Sequence, residues 1–104
     1  MKAIHLIERM NNCRLLNKAT HEWESGWWKV STETAEKLVG GNLYLHAHQN
    51  SPSHFGGFIL GFRVEEENRA DKGRIIFHIR FTPESRGVVT DRNGWGMEKK
   101  IVLE

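Results

Sequence analysis

The chain has 104 residues, 38% of them hydrophobic and 27% charged, a balance typical of one small soluble domain rather than a disordered or membrane protein. No apolar run approaches the ~20 residues that span a bilayer, and the N-terminus lacks the features of a secretory signal. The only cysteine, Cys13, excludes an internal disulfide, so we expect a cytoplasmic protein. The net charge of +2 is mildly basic, and a nucleic-acid partner would require clustered Lys and Arg.

The first quarter of the chain predicts one strand followed by irregular structure. Residues 3–8 (AIHLIE) are apolar and predict the strand. Residues 8–26 (ERMNNCRLLNKATHEWESG) are polar and predict a long loop, or a loop with a short helical turn. Trp23, Trp27 and Trp28 fall within six positions, so we expect these tryptophans to share one region of the fold.

The segment VSTETAEKLVGG (residues 30–41) predicts a short helix over about residues 32–39. Ser31 is the expected N-cap, because its hydroxyl can accept a hydrogen bond from a free amide of the first turn. Gly40 or Gly41 can take the left-handed conformation that commonly ends a helix. The helix is therefore expected to be about two turns long and to need no functional explanation.

The middle of the chain predicts strands, because apolar and polar residues alternate. In LYLHAHQ (residues 43–49), one face carries Leu43, Leu45 and Ala47, and the other carries Tyr44, His46 and His48. In GFILGFRVEE, one face carries Phe58, Leu60, Phe62 and Val64, opposite Ile59, Gly61, Arg63 and Glu65. In GRIIFHIRFT, one face carries Ile75, Phe77, Ile79 and Phe81, and the other carries Arg74, Ile76, His78 and Arg80.

The last two of these strands are joined by the short polar segment ENRADKG, which predicts an antiparallel hairpin. KKIVLE (residues 99–104) predicts a final strand, and RGVVT (residues 86–90) is another candidate. Five or six strands and one helix indicate a single α+β domain over residues 1–104, mainly antiparallel β. A strongly bent sheet or a partly closed β-barrel would protect so many short strand edges.

The histidines suggest one type of site. His46 and His48, with His54 and His78 further along the chain, offer ring nitrogens to zinc or another divalent metal. The spacing from Gly41 to His46 and His48 also resembles the first motif of cupin metal enzymes. However, the carboxylate that this motif places a few residues later is missing here. A metal site of His46, His48 and His54 is therefore kept as the alternative reading.

The basic and aromatic residues suggest a different site. Arg63, Arg74 and Arg80 lie on the polar faces of two neighbouring predicted strands. Aromatic side chains border the same region in sequence, and alternation leaves one of Trp27 and Trp28 free while the other is buried. Aromatic rings stack on bases and cations hold phosphates, so this combination is typical of proteins that bind unpaired nucleotides.

Residues 28–61 resemble the PUA-like superfamily, particularly its EVE and ASCH branches. The resemblance is carried by Trp28, the short helix, the strand from Gly41 to His46 and the strand Gly57-Phe58-Ile59-Leu60-Gly61, although Asn42 stands where those domains usually have Asp. It implies a PUA-like β-barrel with a ligand cleft beside the helix, in a family whose clefts bind RNA or modified bases in DNA.

Our leading hypothesis is a non-enzymatic module without a cofactor that binds RNA, or a modified or flipped-out base in DNA. The residues expected at its site are Trp27, Trp28, Tyr44, His46, His48, Ser53, His54, Phe55, Arg74 and Arg80. The alternatives are a small metal-dependent enzyme or metal-binding barrel, and a phage- or defence-related domain that binds another protein through its tryptophans.

Overall fold

The computed structural model describes residues 2–9 and 12–104. Over these residues the chain forms eight strands, one α-helix and one short 3-10 helix. No helix among them is long and apolar enough to cross a membrane. In chain order the elements are β1 (Ala3–Ile7), β2 (Cys13–Asn17), β3 (Glu22–Trp28), α1 (Thr32–Leu38), β4 (Asn42–His46), β5 (Ser53–Val64), β6 (Ile75–Phe81), the 3-10 helix Pro83–Ser85, β7 (Trp95–Gly96) and β8 (Lys99–Val102).

The strands of the described residues form one eight-stranded sheet in the order β2-β3-β6-β5-β4-β1-β8-β7. Every neighbouring pair is antiparallel except β1 and β4, which are parallel. The predicted α+β class, mostly antiparallel with one helix, is therefore confirmed. The strand ladder does not close on itself, because β2 and β7 each have one strand neighbour.

The predicted helix is confirmed as α1, and its cap is the expected one. The Ser31 hydroxyl accepts a hydrogen bond from the Thr34 amide at 3.1 Å, and Gly40 has a φ of +90° just after the helix. Ala35 and Leu38 are fully buried against the inner face of the sheet. That inner face also carries the alternating residues of β6, as predicted: Ile75, Phe77 and Ile79 are all fully buried.

The prediction of a loop over residues 8–26 is wrong, although Met10 and Asn11 lie outside the described residues. β2 and β3 form an antiparallel hairpin there. On one face Trp23 and Cys13 pack against the core, and on the other Arg14 pairs with Glu24 across the strands at 2.8 Å. Polar residues can form strands when each has a cross-strand partner, and this pairing is invisible to a search for apolar alternation.

The predicted alternation along β5 is wrong beyond Ile59. A bulge between Ile59 and Gly61 adds a residue, which shifts the phase of the strand. Ile59 and Phe62 therefore both lie on the inner face, opposite buried residues of β6, whereas Phe58 is exposed on the outer face. The four residues Phe58, Leu60, Phe62 and Val64 do not share one face.

Two other strand predictions need correction. β4 ends at His46, so Ala47 and His48 are exposed in the following loop and do not continue the alternation. RGVVT is a turn and an extended loop rather than a strand. Its backbone instead bonds to the first residue of β5, with the Gly87 amide donating to the Ser53 carbonyl at 2.8 Å. The predicted final strand is confirmed as β8.

Candidate functional site

A pair of buried histidines lies on the outer face where β1 and β4 run side by side. His5 Nδ1 and His46 Nε2 are 2.9 Å apart, and His46 Nδ1 is 2.8 Å from the Ser51 carbonyl oxygen. A carbonyl oxygen only accepts, so we assign the His46 proton to Nδ1. His46 Nε2 must then accept from His5 Nδ1, which leaves the His5 Nε2 lone pair without a proton in the neutral pair. Both nitrogens of the His46 ring are thus used inside the protein.

Aromatic rings from β4 and β7 surround His5 of β1. Tyr44 stacks on the His5 ring with centroids 4.9 Å apart, and the Trp95 ring lies 5.7 Å from His46 and 6.2 Å from His5. The Trp95 Nε1 atom is buried and has no hydrogen-bond partner among the described residues. The neighbouring Lys100 is buried too, and its ammonium donates to Thr90 and Asp91. The predicted pair Tyr44 and His46 therefore lies in a packed cluster of rings.

The surroundings of the histidine pair keep it uncharged at neutral pH. The pKa of His5 is lowered to about 4, first by burial and then by the nearby His46 and Lys100. The pKa of His46 is also lowered, chiefly by burial, although its hydrogen bond to Ser51 acts in the opposite direction. A neutral imidazole pair that is enclosed in this way ties β1 to β4 and to the loop before β5.

The three histidines of the alternative metal site do not form a set of ligands, although His54 is close enough to His46 to help lower the pKa of His46. His46 is fully buried with both ring nitrogens bonded, whereas His48 and His54 are exposed. Over residues 2–9 and 12–104, no three His, Cys, Asp or Glu side chains are grouped closely enough to hold a metal ion. His78 lies elsewhere on the outer face, 2.6 Å from a Glu22 oxygen.

Ser53 and Phe55 have internal partners. The Ser53 hydroxyl is buried, donates to the Ser85 carbonyl at 2.5 Å and accepts from the Val88 amide at 2.9 Å. These two hydrogen bonds therefore connect the loop after the 3-10 helix to the start of β5. Phe55 lies on the inner face, where its ring stacks on Phe81 at 5.0 Å and meets the edge of Trp23 at 5.1 Å.

The tryptophan pair divides as predicted, with one ring buried and one partly exposed. Trp28 is part of the core, and its Nε1 donates to the Ser25 hydroxyl at 3.0 Å. Trp27 is half-buried on the outer side, where its Nε1 donates to Glu65 at 2.7 Å. The Trp27 ring lines a groove of about 330 Å³ at the end of β3. Of the two rings, Trp27 is the one that can contact a ligand.

A second groove, of about 350 Å³, adjoins the end of β3 and is lined by basic residues. We call it the basic groove and define it by Lys29, Lys72 and Arg74, which share its wall with Val30, Ser31 and Gly73. All three cations are exposed, and the described residues that line this groove include no carboxylate. Trp28 pairs with Ile75 in the antiparallel ladder, so the next residues on the two chain segments, Lys29 and Arg74, also lie side by side.

The structure therefore distributes the predicted site over separate places. Trp27 and Arg74 lie at one end of β3 and β6. Tyr44 and His46 lie near the opposite end of β5, on the order of 25–35 Å away along that strand. Arg80 is exposed on the outer face opposite Phe58. The predicted cleft that would combine all of these side chains is not formed.

Several residues of the histidine cluster and of the basic groove cannot be predicted from the sequence. His5 alternates with the buried Ile4 and Leu6, but its partner His46 is 41 residues away, and neither Trp95 nor Lys100 stands near them in sequence. Lys29 and Lys72 are 43 positions apart, and only the pairing of β3 with β6 brings them to one groove. The signal that was available is the Lys29 that directly follows the tryptophan pair.

Three comparisons with known proteins found no match for this chain. A scan against protein-family models, a search of curated proteins and a search of solved structures each gave no match.

Proposed function

We propose that this chain is a small non-enzymatic module that binds nucleic acid, with the phosphates held in the basic groove. The observation that carries the proposal is the lining of that groove, which holds Lys29, Lys72 and Arg74 and no carboxylate among the described residues. Clustered cations that displace the counterions of a phosphate backbone supply most of the affinity for nucleic acid. The chain's net charge of +2 understates this local concentration of positive charge.

The position of Trp27 favours a single strand over a duplex. Trp27 lies two residues before Lys29, so the Cα of this aromatic residue is within about 7 Å of the Cα of one cation of the basic groove. Proteins that bind single strands combine a positively charged groove with rings on which unpaired bases stack. Of the residues predicted from the sequence, this proposal keeps Trp27 as the stacking ring and Arg74 as a phosphate contact.

The proposal retains the PUA-like type of fold as its structural part. A PUA-like sheet would form a partly closed barrel, and one side-chain contact favours that arrangement: Lys99 of β8 donates a hydrogen bond to the Lys29 carbonyl just after β3. This contact spans the gap between two strands that are not neighbours in the sheet. The same contact also brings a fourth cation near the basic groove.

The test is binding of fluorescently labelled single-stranded RNA, single-stranded DNA and duplex DNA at low salt, measured by anisotropy. We expect a single strand to bind most tightly, and the triple variant Lys29→Ala/Lys72→Ala/Arg74→Ala to lose at least tenfold in affinity because phosphate contacts are lost. The matched control, Lys18→Ala/Lys37→Ala/Arg92→Ala, removes three exposed cations elsewhere and should retain the affinity. The absence of binding to any of the three nucleic acids would refute the proposal.

A further inference from the structure

The groove beside Trp27 is separate from the basic groove and has a different lining. We call it the Trp27 groove; it encloses about 330 Å³ between β2, β3 and the end of β5. This volume falls at the lower end of the range for small-molecule sites, roughly 300–1,000 Å³. Its floor is formed by Gly26 and Ile76, and Trp27 forms one wall.

The floor is shaped by the close approach of two strands. A Cβ atom placed on Gly26 would lie 2.9 Å from the Ile76 Cγ1 atom, so only glycine allows β3 and the Ile76 side chain to pack this closely. Ile76 is almost fully buried although it faces outward from the core. The groove therefore offers a narrow apolar base, which suits the face or edge of a flat ring.

The aromatic wall is fixed before any ligand arrives. The Trp27 Nε1 atom donates to Glu65 Oε1 at 2.7 Å, and this bond holds the indole in one orientation. The hydrogen bond from Trp27 is also the main reason why the pKa of Glu65 lies below its usual value, so the carboxylate is ionised at neutral pH. A ring that is already ordered loses little entropy when a second ring stacks on it.

The polar rim presents both donors and acceptors. Glu24 accepts hydrogen bonds from Arg63 Nε at 2.8 Å, from Arg63 Nη2 at 3.2 Å and from Arg14 Nη2 at 2.8 Å. One carboxylate thus positions two guanidinium groups, and each retains further N–H groups because arginine has five. The Glu67 carboxylate lines the same groove and supplies acceptors.

We propose that the Trp27 groove accepts an unpaired nucleobase, which stacks on Trp27 while its edge bonds to the free N–H groups of Arg14 and Arg63 and to Glu67. A nucleobase is flat and carries donors and acceptors on one edge, as the apolar floor and mixed rim require. The inference rests on the proposed function, because the base would belong to a strand whose phosphates lie in the basic groove. Two residues of extended chain, about 7 Å, separate Trp27 from Lys29.

The experiment compares a short labelled single strand with an abasic strand of the same length, which has the sugar–phosphate backbone but no bases. We expect wild-type protein to bind the base-bearing strand about fivefold or more tightly than the abasic strand, in line with base–aromatic stacking. Trp27→Ala should abolish this preference while retaining affinity for the abasic strand. The control Phe58→Ala removes an exposed ring outside both grooves and should keep the preference.

Two further variants keep the test decisive. Trp27→Leu replaces Trp27→Ala if the smaller side chain prevents folding, and Trp27→Phe retains a stacking ring and should retain most of the preference. Equal affinity of the wild-type protein for both strands would overturn the nucleobase site and leave the proposed function standing. Binding to neither strand would instead overturn the proposed function itself.

Discussion

His46 illustrates how a residue that is conspicuous in the sequence acquires a structural role. Its side chain is fully buried, and its two ring nitrogens bond to His5 and to the Ser51 carbonyl. These bonds join β1, β4 and the loop before β5 across long stretches of chain. Ser53 has a comparable role, since its buried hydroxyl bonds to both sides of the loop after the 3-10 helix.

The buried histidine pair makes the stability of the fold depend on pH. The pKa of His5 is about 4 in the folded protein and 6.5 in the unfolded chain. Between these two values, His5 is protonated in the unfolded state but largely neutral in the folded state. The stability that depends on a neutral His5 is therefore fully present above pH 6.5 and is lost as the pH falls towards 4. For His5 alone the loss by pH 4.5 is about 2–3 kcal/mol. His46, whose pKa is also lowered, changes stability in the same direction.

Urea unfolding at a series of pH values between 7.5 and 4.5 measures this loss. The variant His5→Phe, which keeps a ring against Tyr44 but cannot titrate, should show a flatter dependence of the unfolding free energy on pH. A wild-type unfolding free energy that is constant across the same interval would contradict the assignment of a neutral, enclosed pair.

Among the elements, β5 shows most clearly which features of the fold follow from local sequence and which do not. Its strand character and its hairpin with β6 are predicted from alternation and from the short polar connection, and both are confirmed. Its bulge at Ile59–Gly61 is not predicted, because the bulge depends on the match between two strands rather than on either alone. The helix α1 was predictable because its cap and its stop signal are local.

The elements that escaped prediction depend on contacts between distant residues. The β2–β3 hairpin is held by pairs such as Arg14 and Glu24, and the loop after the 3-10 helix is held by Ser53. The candidate site shows the same difference between features that are local in sequence and features that depend on distant contacts. Trp27 and Arg74 were predicted as individual residues, whereas their separation from Tyr44 and His46 follows from the strand order, which no local pattern specifies. The PUA-like resemblance remains a prediction.

The glycines of β5 provide a test of the packing at this strand. A Cβ on Gly56 would lie 2.0 Å from the Leu43 carbonyl oxygen, and one on Gly57 would lie 2.0 Å from the Arg80 carbonyl oxygen. Backbone on neighbouring strands must move to relieve such overlaps, so we expect Gly56→Ala and Gly57→Ala each to lower the unfolding free energy by about 3 kcal/mol or more.

Gly61 is the matched control for these substitutions, because it lies in the same strand and a Cβ there would meet no atom within 4 Å. Thermal unfolding followed by circular dichroism compares the three variants directly. We expect Gly61→Ala to unfold within a few degrees of the wild-type protein. Similar melting temperatures for all three variants would show that β4, β5 and β6 do not approach one another as closely as described.

At the scale of the whole molecule, the distribution of charge over the surface is a better guide to where nucleic acid would bind than the net charge is. On the outer face, Glu24 pairs with Arg14 and Arg63, and Glu22 lies beside His78, so positive charge there is largely balanced. The basic groove differs because no acidic side chain lines it among the described residues. The proposed binding of nucleic acid therefore depends on one end of β3 rather than on a uniformly basic surface.

The salt dependence of single-strand binding tests this account most directly. Each phosphate contact on a single strand contributes about −0.7 to the slope of log K against log salt concentration, so the loss of three cations should make the slope less steep by about 2. We predict this change for Lys29→Ala/Lys72→Ala/Arg74→Ala and an unchanged slope for the control Lys18→Ala/Lys37→Ala/Arg92→Ala. Equal changes in the two triple variants, or a slope near zero for the wild-type protein, would contradict the assignment of phosphate binding to the basic groove.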